Sequence, residues 1–254
     1  SNSKVSRNRV IRKIYQWNGF ITLDDKNAIN DALIKDYIAH GYNLVVFPEG
    51  KRNDRSTISR FHKGAFLLAE RYGLDIQPLI IHGLNVVLPR NSFQVFTGSI
   101  TVKGYERVRQ DGHTTYSEMT SRVHAFYKKE YERLAREIEK ATYFVPLVED
   151  RYCYKGVEIY RSVHKNIKRN ESFTRWIDTS ESLSAVLIKN NDHGEFALLY
   201  ALVHPSTLVT VLEEDESKRA LLTYCAKGIA DNLQVTDHVD MKEAEEAGIK
   251  IISL

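Results

Sequence analysis

An α/β fold in two modules is what the sequence predicts, and three observations predict it. Short apolar runs alternate with helical-period segments between residues 21 and 103. The same alternation returns between residues 185 and 252. Charge divides along the same line: residues 1–146 carry 23 Lys and Arg against 15 Asp and Glu, a net of +8, whereas residues 147–254 carry 13 against 18, a net of −5. Strand–helix–strand order argues for parallel strands in layers, and charge asymmetry argues for modules with different ligands.

In chain order, Ile21-Thr22-Leu23 is a short strand ended by Asp24-Asp25, which suits a helix N-cap. A helix follows over about 26–40, with Ala28, Ile29, Ala32, Leu33 and Tyr37 on one face and Gly41 as its stop. Leu44-Val45-Val46-Phe47 has the continuous apolar pattern of a buried parallel strand. A helix with Phe61, Ala65, Leu68 and Ala69 on one side runs to Tyr72, and Ile76–Ile81 is another buried strand. Shorter strands are expected at 93–97 and 99–103, then a long amphipathic helix over about 115–141 marked by Met119, Val123, Phe126, Leu134 and Ile138.

Pro146 with Glu149-Asp150 is the expected boundary, dividing 1–146 from 147–254. Beyond it come a basic helix from Tyr160 to Trp176, a strand at 185–188 and a turn at Asn190-Asn191-Asp192-His193-Gly194. A helix at 196–203, a strand at 208–212, a helix at 217–227 and a strand at 249–252 complete the chain.

Composition closes off several classes. With 254 residues, 43% apolar and 27% charged, the chain can bury a real core and is not a disordered or low-complexity sequence. The longest uninterrupted apolar run, Phe196–Val203, is far too short to span a membrane as a helix. Two cysteines, Cys153 and Cys225, cannot make a disulfide framework. A soluble, cytoplasmic-type chain is therefore expected. The opening Ser1-Asn2-Ser3, without Met, reads as a tag remnant ahead of a piece cut from a longer protein.

Phe47-Pro48-Glu49-Gly50-Lys51-Arg52 is the sharpest feature. A strand delivers a Pro-ordered turn whose Gly permits close backbone approach, followed at once by two cations. Backbone N–H groups and a bidentate Arg suit phosphate oxygens. A plain solvated loop has the same composition, so chemistry alone leaves both readings open.

This segment resembles the Phe-Pro-Glu-Gly-Thr-Arg block of the glycerol-phosphate and lysophosphatidate acyltransferase family, with Lys51 in place of Thr and Asn53 in place of the usual Ser. Gly19–Asp24 is similar to the family's preceding block. Phe61-His62-Lys63-Gly64-Ala65, followed by Gln77-Pro78-Leu79-Ile80, is similar to its lysine–glycine helix start and later proline strand. The resemblance makes Phe47, Pro48, Lys63, Gly64 and Pro78 structural markers, and Glu49, Gly50, Lys51 and Arg52 acceptor-binding residues.

Two departures stand out. The family's phosphate-binding Arg after the Asp24 position is here Asp25, with Lys26 next as a weaker substitute. The family's catalytic His-x4-Asp is absent: no His precedes His40, and no His has Asp five positions later. His113 with Glu118 and His238 with Glu243 have the spacing with Glu, but both lie far after the other blocks and read as surface residues. No catalytic residue is therefore assigned.

What the resemblance implies is acyl transfer from an acyl thioester, on CoA or a carrier protein, to a glycerol-phosphate-type hydroxyl. It implies no metal or bound cofactor and a peripheral place at the inner membrane face. The chain would be the C-terminal part of such an enzyme, inactive alone. The alternative is a non-catalytic module that binds lipid, phosphate or a partner.

The second module resembles a class I methyltransferase-type Rossmann fold in its order of strand, turn, helix and acid-ended strand. Gly194 survives from the glycine-rich turn, and Glu213 sits where such folds grip a ribose. His193 and Glu195 would hinder a closely bound cofactor, so S-adenosylmethionine is not expected, and a degenerate structural or partner-binding domain is. The expected fold is thus a partial acyltransferase α/β domain followed by a small Rossmann-like α/β domain.

The remaining candidates read more blandly. His62 and His82 are taken as surface or core residues, and the nine histidines show no metal spacing. Tyr127, Tyr131, Tyr143 and Phe144 pack the long helix rather than stack bases, so no nucleic-acid partner is expected. Arg161, Lys165, Lys168, Arg169 and Arg175 form a solvated face, or one suited to an anionic membrane surface.

Overall fold

The structure, a computed structural model, describes residues 13, 17, 31–51, 57–89, 95–189 and 192–253. The expected strand at 21–23 and helix cap at Asp24-Asp25 lie outside these. The fold is mixed α/β, and the chain divides into two compact units: residues 1–52, 59–75 and 109–124, and residues 53–58, 76–108 and 125–254.

In the first unit, α1 (Asp31–Ala39) and α2 (Gly64–Tyr72) are tied through one carboxylate. Asp31 accepts from Arg71 at 3.1 Å and from the Tyr72 hydroxyl, and pairs with Lys35 at 3.0 Å. The Tyr72 hydrogen bond, followed by that of Lys35, holds the Asp31 carboxyl below its ordinary range. Phe61, Phe66, Ala69 and Met119 are buried here. Thr115 and Glu118 form a reciprocal cap at the start of the long helix, with the Thr115 N–H donating to Glu118 Oε2 at 3.0 Å and the Glu118 N–H to Thr115 Oγ1 at 3.3 Å.

Leu44–Phe47 departs from expectation. It is irregular and exposed, with Val45 at 78% and Phe47 at 65%, instead of a buried parallel strand. An apolar run states that a segment can be buried; whether a neighbouring strand receives it depends on residues elsewhere in the chain.

The second unit opens with β1 (Leu79–His82), the short helix α3 (Leu84–Val87) and β2 (Thr101–Gly104). β1 and β2 pair antiparallel, Leu79 opposite Gly104 and His82 opposite Thr101, which corrects the parallel expectation. Residues 95–97 are irregular; the rest of the strand expected at 93–97 lies outside the described residues. Ile80 packs with Tyr131 and Leu134 of α4 (Tyr116–Ile138).

Three helices then follow: α5 (Ala141–Cys153), α6 (Val157–Arg169) and α7 (Glu171–Thr179). The single basic helix expected over 160–176 is broken at Asn170 into α6 and α7. Pro146 lies inside α5.

A four-stranded, all-parallel sheet completes the unit: β3 (Ala185–Lys189), β4 (Leu208–Leu212), β5 (Leu233–Thr236) and β6 (Lys250–Ser253), in the order β5-β4-β3-β6. α8 (Glu195–Val203), α9 (Glu216–Ala226) and α10 (Met241–Glu246) connect successive strands. Val186, Leu187 and Ile188 are all buried, as a central parallel strand covered on both faces requires. α8 is buried from Glu195 to Ala201, which explains its uninterrupted apolar sequence. Phe144, Leu147, Val148 and Tyr152 of α5 join this core. Among the described residues, no helix is long and apolar enough to cross a membrane.

Candidate functional site

Pro48 presets the second position of a tight turn, closed by the Gly50 N–H donating to the Phe47 carbonyl at 3.0 Å. Gly50 sits at φ 67°, and a Cβ there would lie 3.0 Å from His62 Cδ2. The left-handed backbone favours glycine, and a Cβ would also press on the His62 ring. The turn is stapled to the segment before α2 by two bonds: the Ser59 N–H donates to Glu49 Oε2 at 2.8 Å, and the His62 N–H to the Pro48 carbonyl at 2.7 Å.

That segment is anchored in turn. Phe61 is buried, with its ring 4.9 Å from that of His124 and 6.2 Å from that of Phe66. His124 Nε2 donates to the Ser59 carbonyl at 3.1 Å. Glu49 thus spends one carboxyl oxygen on holding the loop.

Cations surround the turn. Lys51, Arg60, His62 and Lys63 are all exposed. Lys63 donates to Ser117 Oγ at 2.9 Å and takes the N-cap position before Gly64, without a side-chain cap. Among the described residues, Lys51, Arg60 and His62 have no ion-pair or side-chain hydrogen-bond partner. A stapled turn flanked in sequence by exposed basic groups can hold a phosphate-type anion.

The structure therefore brings Pro48, Glu49, Gly50 and Lys51 together with Lys63 and Gly64. Arg52 and Lys26 lie outside the described residues, and Pro78 belongs to the second unit, where its carbonyl accepts from the Tyr105 N–H at 3.1 Å. The sequence reading missed Ser59 and His62 as partners of the turn; their only signal was their place in a basic segment a few residues downstream.

Other expected surface groups behave as such: His113, Glu118, His238 and Glu243 are exposed. His82 is a core residue at 1% exposure, its Nε2 donating to Glu139 Oε1 at 2.9 Å and its Nδ1 without a partner among the described residues. So deep a ring offers no face to an incoming hydroxyl. Among the described residues, no cluster of three or more His, Cys, Asp or Glu could hold a metal ion.

In the second unit, residues 192–195, which follow β3 and lead into α8, are tied to one another and to α5 and α6. Gly194 has φ 84°, and an added Cβ would lie 2.5 Å from Leu222 Cδ2. The buried Glu195 accepts from Asn166 Nδ2 at 3.0 Å through Oε1 and from the His193 N–H at 3.1 Å through Oε2. Asn166 also reaches Asp192 Oδ2 at 2.7 Å, and the Tyr152 hydroxyl donates to the His193 carbonyl at 2.7 Å. Burial pushes the Tyr152 phenol well above its ordinary value. Glu213 follows β4 directly, and its Oε1 accepts from the Asp215 N–H at 3.0 Å.

Residues 2–82 match the Acyltransferase family model. Over 87 residues the chain is 29% identical to a 1-acyl-sn-glycerol-3-phosphate acyltransferase of Cocos nucifera, covering 34% of this chain and 28% of that protein. Over 69 residues it is 30% identical to a 1-acyl-sn-glycerol-3-phosphate acyltransferase of Chlamydomonas reinhardtii, covering 27% and 21%. Among solved structures, the 1-acyl-sn-glycerophosphate (LPA) acyltransferase PlsC from Thermotoga maritima aligns with a TM-score of 0.44 at 21% identity, over 52% of this chain and 54% of that one. The chain spans about a quarter of the length of the curated relatives it matches.

Proposed function

We propose that this chain is the acceptor-binding portion of an acyltransferase that moves an acyl group from a thioester, on CoA or a carrier protein, to a hydroxyl of a glycerol-phosphate-type acceptor. In that reaction a base takes the hydroxyl proton, the oxygen bonds to the acyl carbon, the carbon–sulfur bond breaks and the thiol leaves with a proton. Gly50, Lys51 and Arg52, with Lys26 in support, hold the acceptor phosphate, while Glu49 keeps the turn in shape. The observation that carries this reading is the coincidence of the family match over residues 2–82 with a stapled turn at which, among the described residues, Lys51 has no ion-pair partner.

The chain's own sequence contains no His-x4-Asp, so it binds the acceptor without turning it over, and neither metal nor bound cofactor takes part. That same absence favours a second reading, a non-catalytic module for lipid, phosphate or a protein partner. Titration calorimetry with glycerol 3-phosphate, beside a turnover assay with acyl-CoA, tests both readings. Binding that weakens about fivefold or more in Lys51→Ala, with negligible turnover, is expected. Robust turnover by this chain would refute the division of labour, and absence of any glycerol 3-phosphate binding would refute the acceptor loop.

For residues 147–254 we infer a worn Rossmann-like domain. Its strand order, third-second-first-fourth in chain sequence, is that of the first four strands of a doubly wound nucleotide-binding sheet, and Glu213 directly follows the second strand. The residues at the first turn do not fit S-adenosylmethionine: Glu195 already occupies the head of α8, and Gly194 serves packing against Leu222. A structural or partner-binding role follows, with the exposed cations of α6 and α7 facing an anionic surface at the inner side of the membrane. Saturable binding of S-adenosylmethionine would overturn this reading.

A further inference from the structure

Beyond the cations next to the turn, a histidine side chain lies directly against it. His62 is exposed, its backbone N–H is fixed to the Pro48 carbonyl at 2.7 Å, and its ring lies against Gly50, 3.0 Å from where a Cβ would stand. Its imidazole has no hydrogen-bond partner among the described residues. The side chain is therefore positioned by the turn and left free to take an anion.

Among the described residues, the charged groups on the two segments are Glu49 and Lys51 on the turn and Arg60 and Lys63 beside His62 in sequence. Glu49 is engaged by the Ser59 N–H, and Lys63 by Ser117 Oγ. From α4, His124 turns its Nε2 to the Ser59 carbonyl. Among the described residues of these two segments the remaining free charges, Lys51 and Arg60, are positive, so a proton added to His62 adds to the field they set up for an anion there. Histidine is the side chain whose charge changes between pH 5 and 8.

We propose that His62 is a direct ligand of the phosphate-type anion at the Pro48–Lys51 turn, and that its protonation makes acceptor affinity rise as pH falls from about 8 to about 6. The proposal rests on the acceptor-loop reading above and adds to it a pH-dependent grip.

The test is titration calorimetry of the full chain at pH 6 and pH 8, with inorganic sulfate, whose charge is constant over this range, and with glycerol 3-phosphate. The wild type should bind sulfate about fivefold tighter at pH 6. His62→Gln should hold the weaker affinity at both pH values. His62→Lys should bind tightly at both, restoring at pH 8 what the neutral imidazole lacks. An equal pH dependence in wild type and His62→Gln overturns the proposal. If Lys51→Ala weakens glycerol 3-phosphate binding while His62→Gln leaves the pH slope intact, the role of His62 fails alone. If Lys51→Ala binds as the wild type does, or if neither probe binds the wild type, the acceptor loop fails and His62 with it.

Discussion

Two glycines in this chain are held by different neighbours, and the difference bears on what each is for. Gly50 meets an exposed imidazole beside a ring of cations; Gly194 meets the side chain of Leu222 in the core. Gly194→Ala would force a Cβ into a left-handed backbone and onto Leu222. It should destabilise the fold by about 2 kcal/mol or more, read as a lowered urea midpoint. From sequence, Gly194 read as the survivor of a ligand-binding turn. Its packing partner lies on another helix, which no local pattern reports. The turn at Glu49 and Gly50 was legible because Pro, Gly and paired cations have meaning at fixed offsets. His62 was not, because a histidine in a basic stretch has no periodic signature until the chain folds it against the turn.

At the level of elements, strong periodicity was readable. β3 and β4 fall within a residue of their expected limits, and α4 starts one residue after and ends three residues before its own. α5 was hidden by Pro146, which read as a boundary but sits inside the helix, where its missing N–H forgoes one bond. β5, with Leu233-Gln234-Val235-Thr236, has no apolar run to announce it. α5 matters to the core: it contributes Leu147, Val148 and Tyr152, and its Arg151 holds the end of α9 by donating to the carbonyls of Cys225 at 2.8 Å and of Tyr224 and Lys227 at 2.9 Å. A fragment of residues 139–254 should therefore keep a more cooperative thermal transition than one of residues 147–254, which cuts this helix. Equal transitions in circular dichroism would contradict the assignment of α5 to the core.

For the whole molecule, the formal charge of +3 conceals a net of +8 before residue 147 and −5 after it. The fold class was legible because alternation of period two and period 3.6 survives averaging over the chain. Strand direction and the exposure of Leu44–Phe47 were not, since both depend on partners distant in sequence. If the basic half and the exposed cations of α6 serve an anionic lipid surface, the chain should cosediment with phosphatidylglycerol vesicles at about 0.02 M salt and be released at about 0.5 M, while ignoring phosphatidylcholine. Retention at high salt would assign the contact to apolar insertion instead.

Glu195 has one more consequence. A carboxyl group that belongs to the chain stands at the head of α8 at a fixed local concentration, whatever metabolites surround the protein. On the reading proposed above, in which residues 147–254 take no cofactor, this part of the chain does not gauge cofactor supply. On that reading, any signal it passes on comes from the surfaces it presents.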